Sequence, residues 1–388
     1  MRADIVIIGG GSTGASIAHS LAKNNAGRIV LLEKSRIASG MTALSGAIVR
    51  LHYSVPTLVS LALTSWKILK DMEVNVGGPS GFKGCGVITA VGERDLQKLE
   101  SNVSIQRQVG VNTGIVTPEE LKDLQPGVDV EGISAAAFEP DSGYADPQLT
   151  TQSFAKKAVE LGCEIRENTE IVGFELRDGS ISKIKTNTEP IEASKIVNAS
   201  GIWSNQIFGK IGAALPIMLS KMDVAYIKRT PQANAEHVFM DLQYGFVTKP
   251  ESATRIQFGS LSPKAMSKSV PAPEMLLGDM DEISPIAENI IRRFPALAHE
   301  ELFSNYAGLY DVTPDWNPII GCSAKIKNLY HAVGMSGHGF KLSPSIGMIM
   351  SEILLKGKCS FIPDDFFAEG RFESGNESKP TYGFGVLS

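Results

Sequence analysis

Apolar residues run without a break from Ile5 to Ile8 and stop at Gly9-Gly10-Gly11. Such a run, bounded by glycines, predicts a strand buried on both faces, as in a parallel sheet. Beyond it Ala15, Ile17, Ala18, Leu21 and Ala22 recur at helical spacing until Asn24-Asn25 and Gly27 end the pattern. Residues 28–33 (Arg-Ile-Val-Leu-Leu-Glu) predict a second strand. Strand, glycine turn, helix and strand make one βαβ unit within about thirty residues.

Further along, a helical stripe of Leu58, Leu61, Ala62, Trp66 and Leu69 predicts a helix over 57–72, and residues 147–161 are again amphipathic. Residues 77–86 are glycine-rich and read as a linker into a strand at 87–91. Short strands are expected at 164–167, 171–175 and 181–186, the last two joined by a turn at Asp178-Gly179. An apolar strand from Ile196 ends in the small residues Ala199-Ser200-Gly201. Residues 221–229, 236–242 and 255–259 predict a separate antiparallel sheet. A helix over 284–294 stops before Pro295, and a strand follows at 329–333. A last helix covers 343–355, with Ser343 as N-cap and Pro344 as its first residue. The tail beyond Pro363 is polar and glycine-rich and is expected to be loosely held. The fold class is α/β, α+β in its two-domain arrangement. A Rossmann-like nucleotide-binding domain takes residues 1–75, 142–215 and 306–388, and a second, mainly antiparallel-sheet domain takes 76–141 and 216–305.

Composition narrows the class. The chain has 388 residues, 43% hydrophobic and 20% charged, with 42 acidic against 37 basic side chains. That length allows two domains, and the slightly acidic balance argues against a nucleic-acid surface. No apolar run reaches the roughly 18 residues of a membrane span, and the N-terminal run is too short for a secretory signal. The four cysteines (Cys85, Cys163, Cys322, Cys359) form no C-x-x-C pair and the six histidines no H-x-x-x-H spacing. No metal site or disulfide framework is expected, and a reducing cytoplasmic location fits.

Gly9-x-Gly11-x-x-Gly14 completes the G-x-G-x-x-G pattern of the first turn. The first glycine allows the tight turn, the second lets backbone approach a pyrophosphate, and the third lets helix and strand pack closely. The N–H groups at the helix start, at Ser12 and Thr13, and the partial positive charge there suit phosphates. Glu33, followed by Lys34, ends the second strand, where a carboxylate can accept both ribose hydroxyls and disfavours a 2′-phosphate. The unit alone leaves NAD and FAD open. A second such motif is absent, which fits a flavin enzyme reduced by its own substrate.

Four later segments carry further pattern: Ser39-Gly40-Met41-Thr42-Ala43-Leu44-Ser45-Gly46; Arg50-Leu51-His52-Tyr53; Ala307-Gly308-Leu309-Tyr310-Asp311-Val312-Thr313-Pro314-Asp315 with Pro318-Ile319-Ile320-Gly321; and Gly334-Met335-Ser336-Gly337-His338-Gly339-Phe340-Lys341. With the opening motif, they resemble the D-amino-acid oxidase superfamily of FAD-dependent amine oxidoreductases. Within it the chain is similar to sarcosine oxidases (β subunit) and to the β subunit of dye-linked L-proline dehydrogenase, nearly from end to end.

The resemblance implies an FAD site. The loop of Ser39, Gly40, Met41, Thr42, Ser45 and Gly46 would wrap the diphosphate and ribityl chain, or is a surface turn. Ile171 falls where the family brackets the adenine. Ala199, Ser200, Gly201 and Trp203 resemble its A-x-G-x-W segment, although core packing would also account for the tryptophan. Monomeric sarcosine oxidases have a cysteine joined to flavin at the position of Gly308, and some relatives have a tethered histidine where Ala43 and Leu44 stand, so the FAD is expected to be non-covalent. Gly337, His338, Gly339, Phe340 and Lys341 match the family's G-H-G-F-K motif, whose lysine pairs with the substrate carboxylate. A solvated lysine is the plain alternative. Arg50 matches an arginine that grips the same carboxylate, against a structural ion pair. Tyr310 would sit near flavin and substrate, or in the core.

The implied reaction oxidises the C–N bond of a small amino acid, or of a sarcosine- or proline-like secondary amino acid, by hydride transfer to flavin N5, giving an imine. The partner is then a small anionic amine, with a second subunit or a homo-oligomer as further expectations. The alternative is a flavin-bearing electron-relay subunit of a hetero-oligomeric dye-linked dehydrogenase, docked through the polar tail. An NAD-linked dehydrogenase is a third reading. Sarcosine oxidases activate oxygen with a second-domain lysine. The corresponding strand here carries Arg255, with Lys249 in the preceding turn, so oxidase and dehydrogenase both stay open.

Overall fold

The N-terminal apolar run forms the strand Arg2–Ile8 near the centre of a six-stranded sheet in the computed structural model, which describes residues 1–230, 235–261, 277–377 and 381–382. The strand is buried on both faces because its residues alternate between two cores. Ile5 and Ile7 join one apolar cluster, and Ala3, Val6 and Ile8 join another. The sheet order is Ile319–Cys322, Leu329–Val333, Glu192–Asn198, Arg2–Ile8, Ile29–Leu32, Glu164–Arg166. All neighbours are parallel except the first pair. Since Glu192–Asn198 flanks the first strand on one side and Ile29–Leu32 on the other, a crevice opens at the carboxyl ends of these strands.

The helices Ser12–Lys23, Pro56–Lys70 and Gly339–Lys356 cover one face of this sheet through Ile17, Leu21, Leu58, Leu61, Ile346 and Ile349. The last helix lies close against the first: a Cβ at Gly347 would overlap the Oγ and carbonyl of Ser16. The hairpin Ile171–Arg177/Ser180–Thr186 closes the other face with Ile181 and Ile184.

A second sheet of eight strands runs Leu302–Val312, Met218–Lys228, Arg255–Ser260, Phe246–Ser252, Val238–Asp241, Val87–Val91, Ala135–Glu139, Gly114–Val116. Its pairing is antiparallel except between Val238–Asp241 and Val87–Val91. Phe239, Phe246 and Phe258 pack beneath the helix Met280–Arg293. That helix is tied down by Arg293 Nε, 2.6 Å from Asp241 Oδ2, with both side chains at 1% exposure or less. Strand Leu302–Val312 pairs along Met218–Lys228 and runs continuously through the boundary expected at residue 306.

Several expectations are corrected. The last helix starts at Gly339, not Ser343, so Ser343 is no N-cap and Pro344 lies inside the helix. Pro344 has no N–H to offer the Phe340 carbonyl, and Ser343 Oγ donates to it instead at 2.8 Å. The helix expected from 284 starts at Met280 behind Asp279, whose carboxylate accepts from Asp281 N, and it also carries a proline, Pro285. Lys249 stands in a strand, not a turn; Phe246–Ser252 was missed because Pro250 interrupts it, beside an irregularity in the pairing. The stretch 92–141, to which the pattern assigned no element, holds the helices Leu96–Val109 and Pro118–Leu124 and two strands. The tail is not loose where described. Phe367, Arg371 and Tyr382 are buried, and Arg371 pairs with Asp315 at 2.8 Å, although residues 378–380 and 383–388 lie outside the described residues. Among the described residues no helix is long and apolar enough to cross a membrane, and no group of acidic, histidine or cysteine side chains could hold a metal.

Candidate active site

The glycine turn has the geometry its sequence demands. Gly9 has φ +112, where a Cβ would strike the Ala199 carbonyl, and a Cβ at Gly14 would overlap the Gly9 carbonyl oxygen. Gly11 precedes the helix Ser12–Lys23 and brings no capping side chain of its own, so a ligand can take N–H groups beyond that of Ser12. Thr42 Oγ1 accepts from Ser12 N at 3.1 Å, which lays the 39–46 loop over that helix start. Glu33 sits at the end of its strand and accepts from Gly10 N at 2.7 Å and Ser35 N at 2.8 Å. Lys34 Nζ lies 3.9 Å over the Trp203 ring, and a Cβ at Gly40 would sit 3.3 Å from the same ring. Thr13, Ala199, Ser200 and Gly201 complete this cradle. Ser200 Oγ donates to Asn198 Oδ1 at 2.6 Å, and Gly201 adopts φ +53.

Two further expected cofactor residues flank it. Ser39 is exposed, and its hydroxyl closes a local turn by donating to the Arg36 carbonyl at 2.7 Å. Ile171 opens the hairpin and packs toward the far core, held near the acidic strand end by Thr169 N donating to the Glu33 carbonyl at 2.8 Å.

The 41–46 segment crosses to the second sheet, which grips its carbonyls. Tyr306 OH donates to Leu44 O at 3.1 Å, and buried Lys249 donates to Gly46 O at 3.0 Å. The Met41 sulfur accepts from Leu309 N at 3.3 Å, and the place of a Cβ on Gly308 lies 3.8 Å from Leu44 Cβ. No cysteine stands there.

Between the two sheets lies an open cavity of about 100 Å³. Arg50, Tyr310 and Lys341 all line it, and each arrives from a different element. Ser45, Gly46, Gly337 and Phe340 share that wall, and Met222, Met240, Val247 and Leu261 supply an apolar side from the second sheet. Lys341 belongs to the first turn of its helix and is 6% exposed, with Nζ donating to Gly337 O at 3.2 Å. Burial, and then Arg50, holds its amine well below the ordinary lysine range. Burial pushes the Tyr310 phenol up against the opposing pull of Arg50, so it stays protonated. Arg50 is 2% exposed; its guanidinium lies 4.5 Å over the Tyr53 ring, and Nη1 donates to the His52 carbonyl. His338 is buried and does not face the cavity. Its Nδ1 meets Tyr53 OH at 3.0 Å, and burial followed by Lys341 and Arg50 keeps it neutral. Gly339 is small because a Cβ would press on Met335 at 2.9 Å.

Residues that the sequence did not flag hold the 50–53 run. Glu139 Oε2 accepts from Leu51 N at 2.8 Å, and Gln106 Nε2 donates to Tyr53 O at 3.2 Å. Tyr382 OH meets His52 Nε2 at 2.9 Å. A charged residue at the end of a small-residue strand (Ala135–Glu139) was the one signal available for Glu139. Gln106 and Tyr382 gave none, because their partners are 53 and 330 residues away.

The family model described as "DAO: FAD dependent oxidoreductase" matches residues 4–353. The chain is 28% identical to FAD-dependent oxidoreductase domain-containing protein 1 of Bos taurus, covering 97% of this chain and 86% of that one. It is 24% identical to mitochondrial sarcosine dehydrogenase of Mus musculus over 92% of this chain but only 40% of that protein. Among solved structures, L-proline dehydrogenase from P. horikoshii superposes with a TM-score of 0.88 at 30% identity, covering 97% of this chain and 99% of that one.

Proposed function

Since the chain belongs to the DAO family of FAD-dependent oxidoreductases, which act on amino-acid C–N donors, we propose that it oxidises a small amino acid or a sarcosine- or proline-like secondary amino acid through its carboxylate-binding cavity. The observation that carries this reading is the convergence of Arg50, Lys341 and Tyr310 on one cavity with an apolar far wall. Residues 1–75, 142–215 and 306–388 would serve mainly the cofactor, and 76–141 and 216–305 mainly the substrate.

The cradle fits FAD: glycines at 9 and 14 where a Cβ would collide with backbone, a glycine at 11 close against Thr42, a helix start, with no side chain on its cap residue, for a diphosphate, and a carboxylate at Glu33 for a ribose. FAD when bound supplies the two-electron acceptor for the substrate C–H. It would be held without a thioether at position 308, which is a glycine. The guanidinium fork of Arg50 and the ammonium of Lys341 bind the substrate carboxylate. That contact fixes the amine end toward Tyr310, whose protonated hydroxyl donates into the cavity. Met222, Met240, Val247 and Leu261 exclude water from the remaining wall. The start of Gly339–Lys356, uncapped by any side chain and adjoining the cavity through Phe340 and Lys341, places partial positive charge there.

Anaerobic bleaching of the flavin tests the reading, with sarcosine, L-proline, glycine and D-amino acids set against amines lacking a carboxylate. Bleaching by one or more of the acids, and far slower bleaching by the uncharged analogues, is expected; equal rates with uncharged amines would refute it. In the described part of the tail, Phe367, Arg371 and Tyr382 pack on this chain, and the relay alternative would need a partner to bind the tail's outer face.

A further inference from the structure

Arg50 does not hold its own position. Its Nη1 donates to the carbonyl of His52, so the direction of the guanidinium follows the placement of that peptide. His52 is fully buried, and both ring nitrogens are engaged by distant parts of the chain. Gln106 Nε2 lies 3.0 Å from Nδ1 and also 3.2 Å from the Tyr53 carbonyl. A carbonyl only accepts, so the amide end facing both groups is the NH₂, and Nδ1 is an acceptor. Burial, then Arg50, pulls the His52 pKa to about 3, and the ring is neutral. A neutral ring that accepts at Nδ1 carries its proton on Nε2. That N–H therefore donates to Tyr382 Oη, 2.9 Å away.

Tyr382 is held where this requires. It is 0% exposed, its ring stacks on His52 at 5.8 Å and 23°, and it packs in one cluster with Met240 and Leu261. Those two residues form part of the apolar cavity wall. Tyr382 thus supports both sides of the cavity: the cationic side through His52 and the apolar side by direct packing.

We propose that Tyr382 is a positioning residue for Arg50: through the His52 ring and carbonyl it aims the guanidinium at the carboxylate of the bound acid. The inference rests on the reading of Arg50 as a carboxylate ligand. It assigns a role in substrate recognition to a residue that no motif contains, far from Arg50 in sequence.

The test uses the flavin-loaded full chain and two probes of similar shape, propionate and propionamide, followed by perturbation of the flavin absorption. Tyr382→Phe keeps the ring and removes the acceptor, leaving a buried N–H unpaired. Propionate should bind about 3- to 10-fold more weakly to this variant, with propionamide binding and flavin content unchanged and the unfolding midpoint lowered by the unpaired N–H. Tyr382→Ala should add a loss for both probes, because the wall loses its backing. Equal weakening of both probes in Tyr382→Phe means a merely structural role and overturns the proposal, as does unaltered propionate binding. A native protein that does not distinguish propionate from propionamide overturns the carboxylate reading and this proposal together; one that distinguishes them while Tyr382→Phe behaves identically overturns this proposal alone. A ligand-free check is the ¹⁵N spectrum of His52. The Nε2–H tautomer should persist without titrating between about pH 5 and 8, and its resonance should move in Tyr382→Phe.

Discussion

Replacing Lys341 by methionine separates recognition from stability with opposite signs. Lys341 is 6% exposed, its Nζ donates to Gly337 O at 3.2 Å, and burial and Arg50 disfavour its charge. Methionine fills a similar volume with no charge to desolvate, so the unfolding midpoint should stay level or rise. The carboxylate loses one charge-assisted hydrogen bond, about 1.5–3 kcal/mol, or roughly 10- to 150-fold in Kd. The assay is propionate titration of the flavin spectrum beside a urea unfolding curve. pH supplies a second check. Only the protonated amine attracts the acid, and its pKa lies well below the ordinary lysine value. Native affinity should therefore be highest at low pH and fall as pH rises through the lysine's depressed pKa, by about tenfold per unit beyond it. Lys341→Met should lack that decline. A variant that binds propionate as tightly as the native protein, or keeps the same pH profile, refutes the role given to Lys341.

Gly14→Ala should abolish flavin retention, since the new methyl would overlap the Gly9 carbonyl; flavin content after gel filtration measures it, and full retention would contradict the close strand–helix approach. Arg371→Met strands Asp315 from its partner at 1% exposure, and the unfolding free energy should drop by about 3–5 kcal/mol, recovered in part by adding Asp315→Asn; a loss under about 1 kcal/mol would count against the buried pair. Burial raises the Asp311 pKa to about 6. A raised folded pKa gives a contribution complete below the unfolded value of about 4 and lost as pH rises through about 6. Asp311→Asn should therefore gain on the native protein between about pH 4 and 7 in urea midpoints, and a difference that is flat with pH would rule this out.

What could be read in the sequence was local. The turn from Gly9 to Gly14 has one workable backbone path, and its steric demands are written in the residue types. Arg50, Tyr310 and Lys341 were found through short motifs, and they share one cavity. Errors arose where a local signal met a tertiary one. Ser343-Pro344 is a sound helix opening in isolation, yet the helix begins at Gly339 because packing against Ser12–Lys23 supports an earlier turn and Ser343 Oγ replaces the missing amide. The helix expected from 284 likewise begins earlier, at Met280, and carries Pro285 inside it. Strand Phe246–Ser252 was hidden by Pro250, which sits beside a pairing irregularity that can accommodate it. Of the supports of Arg50, only Glu139 had a local signature, its place at the end of a small-residue strand; Gln106 and Tyr382 reach the 50–53 run only through the folded chain.

The electrostatics explain why the cavity should prefer an acid. Two buried basic side chains line it, and among the described residues no aspartate or glutamate joins them in its lining. Of two buried carboxyl groups nearby in the fold or the chain, Glu139 acts on Arg50 and Asp311 follows Tyr310 in sequence, and both are engaged elsewhere. Glu139 accepts from Leu51 N and Ser142 Oγ, and Asp311 accepts from Gly334 N at 2.7 Å. Burial raises the pKa of both, toward the neutral form. The polar groups that fix the backbone around Arg50 and Lys341 are thus kept from neutralising them. An arriving carboxylate supplies a counter-charge in a region already shielded from water, where such a contact is stronger than at the surface. An uncharged amine of the same shape obtains the apolar wall alone, and the difference between those two outcomes is the selectivity this site can deliver.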